Sequence, residues 1–573
     1  MLVHLSALGC RLNEAELELW SQQFQVAGFD ISSDPHKADL LVFNSCAVTQ
    51  EAVRKSRQQI NRLRRNNPHA KVVVSGCFVS LNANSESSRS SASPKATATT
   101  ADPPGKSENP HSTPSADPEG VDLLIPNAHK DELVPLIINE WFGDLAVEAL
   151  PQHPASTDLL SDETPRSDSS SDGQNRHRSP PPDSITSAVT SANRANNGLK
   201  SIDLAESRKF PIIPILATGS AAATAASGLG SDIDNPASKQ TFSRSRQRAF
   251  IKIQDGCRYK CTYCIVTVAR GEERSRPIRE LVAEVRQLQQ QGIQEIVLTG
   301  VHVGGYGSDT GESLANLLQA LLNDTAIPRI RFASVEPWDL EDHLLSVLQH
   351  SRVMPHMHLP VQSGCDSVLK RMARRCKTDD FQSLANGLRQ SMPDFNVTTD
   401  IIVGFPGETD SEWQDTLRFV ENTGFGHIHI FPFSPRQGTH AATLANQVNG
   451  TVRKQRTRQL KQLADSSRQD FLSRFSGRTM DVLWESAKLL GSGSKGLEQE
   501  TAASASAHVG EARPARQRYQ GYTPNYLRVF IDTDEPTGSG ESLENRILPT
   551  QLNDIAFVTG GATANAMLRG TLT

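Results

Sequence analysis

The 573-residue chain reads as an α/β protein in three folded parts: a parallel sheet, a partial barrel of six βα units, and a small all-β barrel. Three observations carry that reading. Short apolar runs alternate with amphipathic helical segments over residues 1 to about 80 and again from 250 to 475, the rhythm of βα units and parallel sheets. After residue 476 the rhythm changes to short alternating strands without helices between them. Six of the eight cysteines follow apolar runs, in two sets of three: Cys10, Cys46 and Cys77, and Cys257, Cys261 and Cys264.

In the first part LVHLSAL is a strand and LNEAELELWSQQFQVAG an amphipathic helix ending at Gly28. DLLVFNS is a buried strand, EAVRKSRQQINRLRRN a basic helix, and KVVVSG a third strand. Parallel strands joined by right-handed crossovers bring their carboxyl ends to one edge. Cys10, Cys46 and Cys77 each follow a strand and are each preceded by Gly or Ser, so they are predicted to converge. A lone free cysteine is ordinarily a small buried hydrophobe; three in the same topological position point to shared ligation. Ordinary electron-transfer clusters use four cysteines, and three thiolates leave one iron of a four-iron cube open.

Residues 82–119 contain no Val, Ile, Leu, Met, Phe, Trp, Tyr or Cys, and residues 150–245 are rich in Ser, Ala, Pro and Asp. Neither buries enough apolar surface to offset chain entropy, so both are expected to be disordered. The run FPIIPILATG at 210–219 carries two prolines, which argue against a core strand. The expected domains are therefore 1–149 with the 82–119 insert, a linker at 150–245, a core at 246–475, and 476–573 with a further insert at about 487–516.

The core begins with the strand AFIKIQDG, followed directly by the C-x3-C-x2-C run of Cys257, Cys261 and Cys264. Further strands read as residues 294–300, 329–335, 356–362, 396–405 and 427–433. Such barrels carry their chemistry on loops at the carboxyl ends of the strands, where the cysteine loop falls. Its spacing suggests a cluster whose open iron takes S-adenosylmethionine through the amino and carboxylate groups. A zinc site would usually show paired C-x2-C elements with a fourth ligand, and a long chain with eight cysteines is no disulfide framework. Candidate cofactor contacts at the other strand ends are Gly300, Gly304 and Gly305 in TGVHVGGYG, Glu336 in SVEP, Gln362 in PVQSG, and Gly404 and Gly407 in VGFPGET. Tyr263, inside the cysteine loop, joins them. Arg270, Arg274 and Arg276 are placed to meet phosphate or cofactor, or solvent. Cys365 and Cys376 lie in one predicted helical stretch, three turns apart, and read as structural.

Residues 452–475 form a basic helix, either a solvated face or a surface for RNA phosphates. Tyr522 and Tyr526 beside Asn525 suit RNA stacking if exposed, and core packing if buried. The net charge of -5 excludes a wholesale nucleic-acid coat and leaves room for a local basic face. With no basic-then-apolar leader and no run of ~18 apolar residues, the chain is expected to be soluble and cytoplasmic, and we expect a monomer.

Across about 400 residues the chain resembles the methylthiotransferases of the radical S-adenosylmethionine superfamily. The resemblance runs through LSALGCRLNEAE, FNSCAVTQEA, VSGC, FIKIQDGCRYKCTYCIV, ARGEERSRP, EIVLTGVHVGGYG, MPHMHLPVQSGCDSVLKRM and TTDIIVGFPGETD. It departs at TVARG, where Thr267 and Val268 replace the family's usual proline element, and its inserts are longer. The resemblance implies a flavodoxin-like first domain, a partial TIM barrel of the radical SAM type and a C-terminal RNA-binding TRAM domain. It implies two 4Fe-4S clusters: one on Cys257, Cys261 and Cys264 that binds S-adenosylmethionine and generates a radical, and one on Cys10, Cys46 and Cys77 that handles sulfur. It further implies two S-adenosylmethionine per turnover, a tRNA anticodon stem-loop as substrate, and external sulfur and electron donors. IKIQDGC and LSALGCRLN resemble most the branch acting on N(6)-threonylcarbamoyladenosine; the isopentenyladenosine and ribosomal-protein branches are less similar. Two other readings compete: a second cluster that only relays electrons, which needs a fourth ligand, and a non-catalytic RNA-binding iron-sulfur sensor, which needs no cofactor barrel.

Overall fold

The computed structural model describes residues 1–81, 120–142, 200–201, 247–485, 487–490, 517–533, 542–559 and 564–573. The stretches expected to be disordered, and the 210–219 run, lie outside these residues. The exceptions are two short strands, Lys200–Ser201 and Lys488–Leu489.

The first sheet contains β1 (Leu2–Ala7), β2 (Asp30–Ile31), β3 (Leu40–Ser45), β4 (Lys71–Gly76), β5 (Leu123–Ile125) and β6 (Lys200–Ser201). All are parallel, in the order β2-β1-β3-β4-β5-β6. The first five reproduce the 2-1-3-4-5 order of a flavodoxin-like sheet. Every residue of β3 is buried because both of its faces are covered, as a continuous apolar run in a parallel sheet requires. Leu40 and Val42 pack with Trp20 and Phe24 of helix α1 (Arg11–Val26), while Leu41 and Phe43 pack with Ile60 and Leu63 of helix α2 (Gln50–Asn66).

The core supplies β7 (Arg248–Lys252), β8 (Gln254–Asp255), β9 (Arg274–Ser275), β10 (Glu295–Thr299), β11 (Arg329–Phe332), β12 (His356–His358), β13 (Asn396–Val403) and β14 (His427–Pro432). Two parallel triplets, β7-β10-β11 and β12-β13-β14, meet through bridges at Ile330 to Val353 and Ser334 to His358. The six long strands thus follow one another in chain order, as a partial barrel does. β8 and β9 form a short antiparallel ribbon at the base of the cysteine loop. Ile251, Leu298, Ile330, Met357, Ile401 and Ile428 pack into the core cluster. Period-two alternation puts Lys252, Glu295, Arg331, His358, Asp400 and His429 on the opposite, concave face.

At the carboxyl terminus β15 (Thr479–Trp484), β17 (Gln517–Tyr522), β18 (Arg528–Thr533), β19 (Ile547–Thr559) and β20 (Ala564–Leu572) run in the order β15-β19-β20-β18-β17. Pairing of β15 with β17 closes them into a five-stranded barrel, and β16 (Lys488–Leu489) adds to β17. This barrel covers the amino-terminal end of the core. Arg329 donates to the carbonyls of Tyr522 (3.1 Å) and Asp481 (2.9 Å), Arg331 to Pro524 (3.0 Å), and Asn396 to Asn525 (2.9 Å).

Of the two readings of Tyr522 and Tyr526, exposed stacking aromatics or core packing, the structure favours packing. Tyr522 and Asn525 are buried in this seam. Tyr522 stacks on Tyr526 at 4.7 Å, with the Arg248 guanidinium 4.3 Å over its ring. The basic helix, Gly450–Ser473, is also partly structural. Arg456 pairs with Glu408 and Asp410, Arg453 donates to the Phe433 carbonyl, and Arg468 donates to the Ala566 carbonyl. No helix among the described residues is long and apolar enough to cross a membrane.

Candidate functional site

Cys10, Cys46 and Cys77 stand just beyond β1, β3 and β4, at the carboxyl edge where the sheet order reverses and ligands of such sheets bind. Gly9 turns with φ +131°; a Cβ there would lie 3.2 Å from the Cys46 sulfur, so the Cys10 turn and Cys46 touch. The Ser56 hydroxyl donates to the Cys46 carbonyl (2.8 Å) and accepts from its amide (3.2 Å), fixing that loop to α2. Burial pushes the Cys46 thiol pKa up, and charge on Cys77 and Cys10 adds to the effect. Asn13 and Asn127 lie 3.7 Å from the sulfurs of Cys10 and Cys77.

The second trio is held on one loop. Gly256 adopts φ +74°, and a Cβ there would lie 1.8 Å from the Glu272 carbonyl oxygen, so only glycine makes this turn. The Cys257 amide donates to the Gly271 carbonyl (3.0 Å), and the Thr262 hydroxyl to the Arg371 carbonyl (2.9 Å). Burial pushes the Cys257 thiol up to about 12 and the Cys264 thiol up to about 11, with neighbouring cysteine charges adding to both. The ligating species is the thiolate, so such buried sulfurs ionise against a compensating cation. That donor set suits iron.

Around the loop are partners that spacing did not reveal. His302 is clamped between Glu273 (Nδ1, 2.5 Å) and Asp339 (Nε2, 2.6 Å). Burial opposes its charge, but the hydrogen bonds to Asp339 and Glu273 prevail and its pKa lies above the ordinary value. The clamp gives Gly304 and Gly305 a packing reason of their own: a Cβ on Gly304 would lie 2.4 Å from Asp339, and one on Gly305 2.2 Å from His302 Nδ1. A Cβ on Gly300 would lie 3.0 Å from Gln254, whose oxygen accepts from the His302 amide (2.9 Å). Glu336 pairs with Arg374, which lies 3.8 Å from the Cys261 sulfur.

Arg374 was hidden because SGCDSVLKRMARRCK reads as one helix, whereas the helix is only Asp366–Arg371 and Ala373 turns with φ +57°. Gln362, a non-glycine at φ +76°, exchanges backbone hydrogen bonds with β13 beside the same strand ends. Held backbone outliers of this kind cluster at functional sites. Gly404 donates its amide to Glu408 (2.9 Å), and the Gly407 carbonyl accepts from Arg371 (3.3 Å). Tyr263 packs against the cluster containing Cys365, Met372, Phe405 and Phe433.

A buried charge network joins the two trios. Arg270, six residues after Cys264, donates to Glu16 (3.0 Å), to Asp255 (2.9 and 3.1 Å), and to Asn13 (3.0 Å), the neighbour of Cys10. Glu16 also pairs with Lys130 (2.5 Å) and Lys252 (3.5 Å), and Lys252 with Asp255 (2.9 Å). All five side chains are at most 5% exposed. Burial opposes the charge of Glu16, and Arg270, Lys130 and Lys252 overcome it, holding the carboxyl below its usual range. Lys252 also reaches the more exposed Asp131 (2.7 Å), so the cations Arg270, Lys130 and Lys252 are matched by Glu16, Asp255 and Asp131 beside Cys10 and Cys77. Of the arginines singled out earlier, Arg270 is thus a buried strut, while Arg276 pairs with Glu284.

Residues 251–420 match the Radical SAM superfamily, and residues 2–93 the family described as "Uncharacterized protein family UPF0004". Threonylcarbamoyladenosine tRNA methylthiotransferase MtaB of Thermotoga maritima is 30% identical over 84% of this chain and 86% of its own length. The Bacillus subtilis protein of the same name is 29% identical over 94% and 92%. A Staphylococcus aureus tRNA-2-methylthio-N(6)-dimethylallyladenosine synthase is 39% identical, over 42% of this chain and 47% of its own.

Proposed function

The chain belongs to the radical SAM methylthiotransferase family, and on that premise we propose that it converts N(6)-threonylcarbamoyladenosine beside the anticodon of tRNA to its 2-methylthio derivative. The observation that carries the proposal is the pairing of two three-cysteine sites through one rigid seam, Asn13–Arg270–Asp255.

In this reading Cys257, Cys261 and Cys264 hold a 4Fe-4S cluster with S-adenosylmethionine at its open iron, and Cys10, Cys46 and Cys77 hold a second. When bound, these groups supply hydrogen abstraction from an unactivated adenine carbon, sulfur, and the methyl group. The protein supplies placement. Glu336 pairs with Arg374, itself 3.8 Å from the Cys261 sulfur, and would meet the amino group of the cofactor. The His302 clamp holds the loop after β10 against the cysteine loop, where Tyr259 lies over the His302 ring at 4.7 Å. Gln50 reaches the Pro435 carbonyl (3.2 Å), closing the Cys46 loop onto the end of β14. The exposed cations Arg54, Lys55, Arg62 and Arg65 of α2 offer a face for the RNA backbone beginning at the same loop.

Similarity over 84–94% of the chain to the MtaB proteins, against 42% for the dimethylallyl enzyme, favours the threonylcarbamoyl substrate. Nucleoside mass spectrometry of tRNA from cells with and without the gene tests this. The 2-methylthio-threonylcarbamoyl nucleoside should vanish with the gene. Disappearance of the isopentenyl analogue, or of a ribosomal-protein mark, would overturn the substrate assignment.

A further inference from the structure

On the concave face of the barrel, away from every cysteine, three side chains on neighbouring strands converge. β13 and β14 pair Asp400 with His429, and β12 and β13 pair His358 with Thr398. His358 Nε2 lies 3.0 Å from an Asp400 oxygen, and the ligand atoms of His358, Asp400 and His429 all lie within 4.8 Å of one another. His358 is held from behind, its Nδ1 3.0 Å from the Thr398 hydroxyl, which also meets His356 Nε2 at 3.3 Å. The front is open: His429 is exposed, the Asp400 side chain is 23% exposed, and Phe431, the next concave-face residue on β14, is 45% exposed. Although its outer edge is open, desolvation of the His429 ring, aided by His358 and opposed by Asp400, lowers its pKa from the ordinary value.

We propose that His358, Asp400 and His429 form the pocket for a polar arm on the substrate adenine, a carbamoyl-linked hydroxy amino acid, and so set the choice between polar and apolar arms. This rests on the reading of the chain as a modifier of tRNA adenine already substituted at N6. The strand geometry fits. His429 lies three residues before Pro432, the carboxyl end of β14, on the order of 10 Å down the strand. A base whose C2 sits at the mouth therefore lowers an N6 arm past Phe431 onto the triad. Asp400 accepts from the hydroxyl or amide N–H of the arm, and the imidazole N–H groups donate to its carbonyl or carboxylate oxygens. A prenyl arm would cover the carboxylate and rings without returning a hydrogen bond, which polar sites reject strongly.

The test uses purified holoenzyme and three anticodon stem-loop RNAs bearing adenosine, threonylcarbamoyladenosine or isopentenyladenosine at one position, with affinity read by fluorescence anisotropy. The wild type should prefer the threonylcarbamoyl RNA over the unmodified RNA by about tenfold to a hundredfold. Asp400→Asn and His429→Phe should collapse that ratio toward one, and His429→Gln, which keeps a donor and an acceptor, should retain part of it. Iron content and melting temperature equal to wild type establish that the variants are folded. A wild-type preference that survives both substitutions overturns the pocket and leaves the substrate reading standing. A wild-type preference for the isopentenyl RNA overturns both. A preference that arises only with added zinc overturns direct contact with the arm, because the triad would then be a metal site.

Discussion

Replacing Arg270 with Met is the sharpest probe of the seam between the two cysteine sites. The substitution keeps much of the side-chain volume and removes the four hydrogen bonds to Glu16, Asp255 and Asn13. Breaking a buried ion pair from one side costs about 3–5 kcal/mol. Arg270→Met should fall near the lower figure, because two lysines remain to face Glu16 and Asp255. Glu16→Ala should reach the upper one, since it strips the fully buried Lys130 of its carboxylate and leaves Arg270 and Lys252 to Asp255 and the more exposed Asp131. Denaturant titration of the first unfolding transition reads the difference, and iron analysis reads its consequence. Arg270→Met should lose the iron of the N-terminal site and keep that of the Cys257 loop, so iron per chain falls by about half. Wild-type stability with full iron would refute the argument that this network joins the sites.

Three more outcomes follow from the same geometry. Cys10→Ala, Cys46→Ala and Cys77→Ala should each retain reductive cleavage of S-adenosylmethionine while losing sulfur insertion; loss of both activities in a folded variant would contradict separate roles for the trios. His302 has its pKa raised by Asp339 and Glu273, so its contribution is complete below the ordinary value of 6.5 and is lost as pH rises through the folded value. The wild-type melting temperature should therefore fall more steeply from about pH 6 to about pH 9 than that of His302→Gln. Tyr522→Ala should destabilise the chain by about 3 kcal/mol and leave the RNA affinity of the folded fraction unchanged, because the ring packs between Arg248 and Tyr526.

Three strands of the first sheet, the six barrel strands and the placement of the cysteines after strands are legible in the sequence because each rests on a local signal: an apolar run, a following loop, a spacing. What escapes it is contact between distant segments. Nothing in LNEAELELW marks Glu16 as a buried anion, since its partners Lys130, Lys252 and Arg270 come from three other segments. Arg374 is missed because a left-handed residue at Ala373 breaks a run whose composition is helical throughout. Tyr522 stays undecided in sequence because a strand-end tyrosine looks the same whether it faces solvent or another domain. The His358, Asp400 and His429 triad has a faint signature, alternate polar residues in otherwise apolar strands, which marks a concave face without saying what it meets.

The central claim is that one chain both inserts sulfur and methylates it, and product accounting tests that most directly. Purified holoenzyme, a threonylcarbamoyl anticodon RNA, a chemical reductant as electron source, inorganic sulfide as sulfur source and S-adenosylmethionine labelled in the methyl group should give a methylthio product carrying that label. One 5'-deoxyadenosine and one S-adenosylhomocysteine should form for each product. Cleavage of S-adenosylmethionine with no sulfur in the RNA, when both clusters are full, would contradict the account.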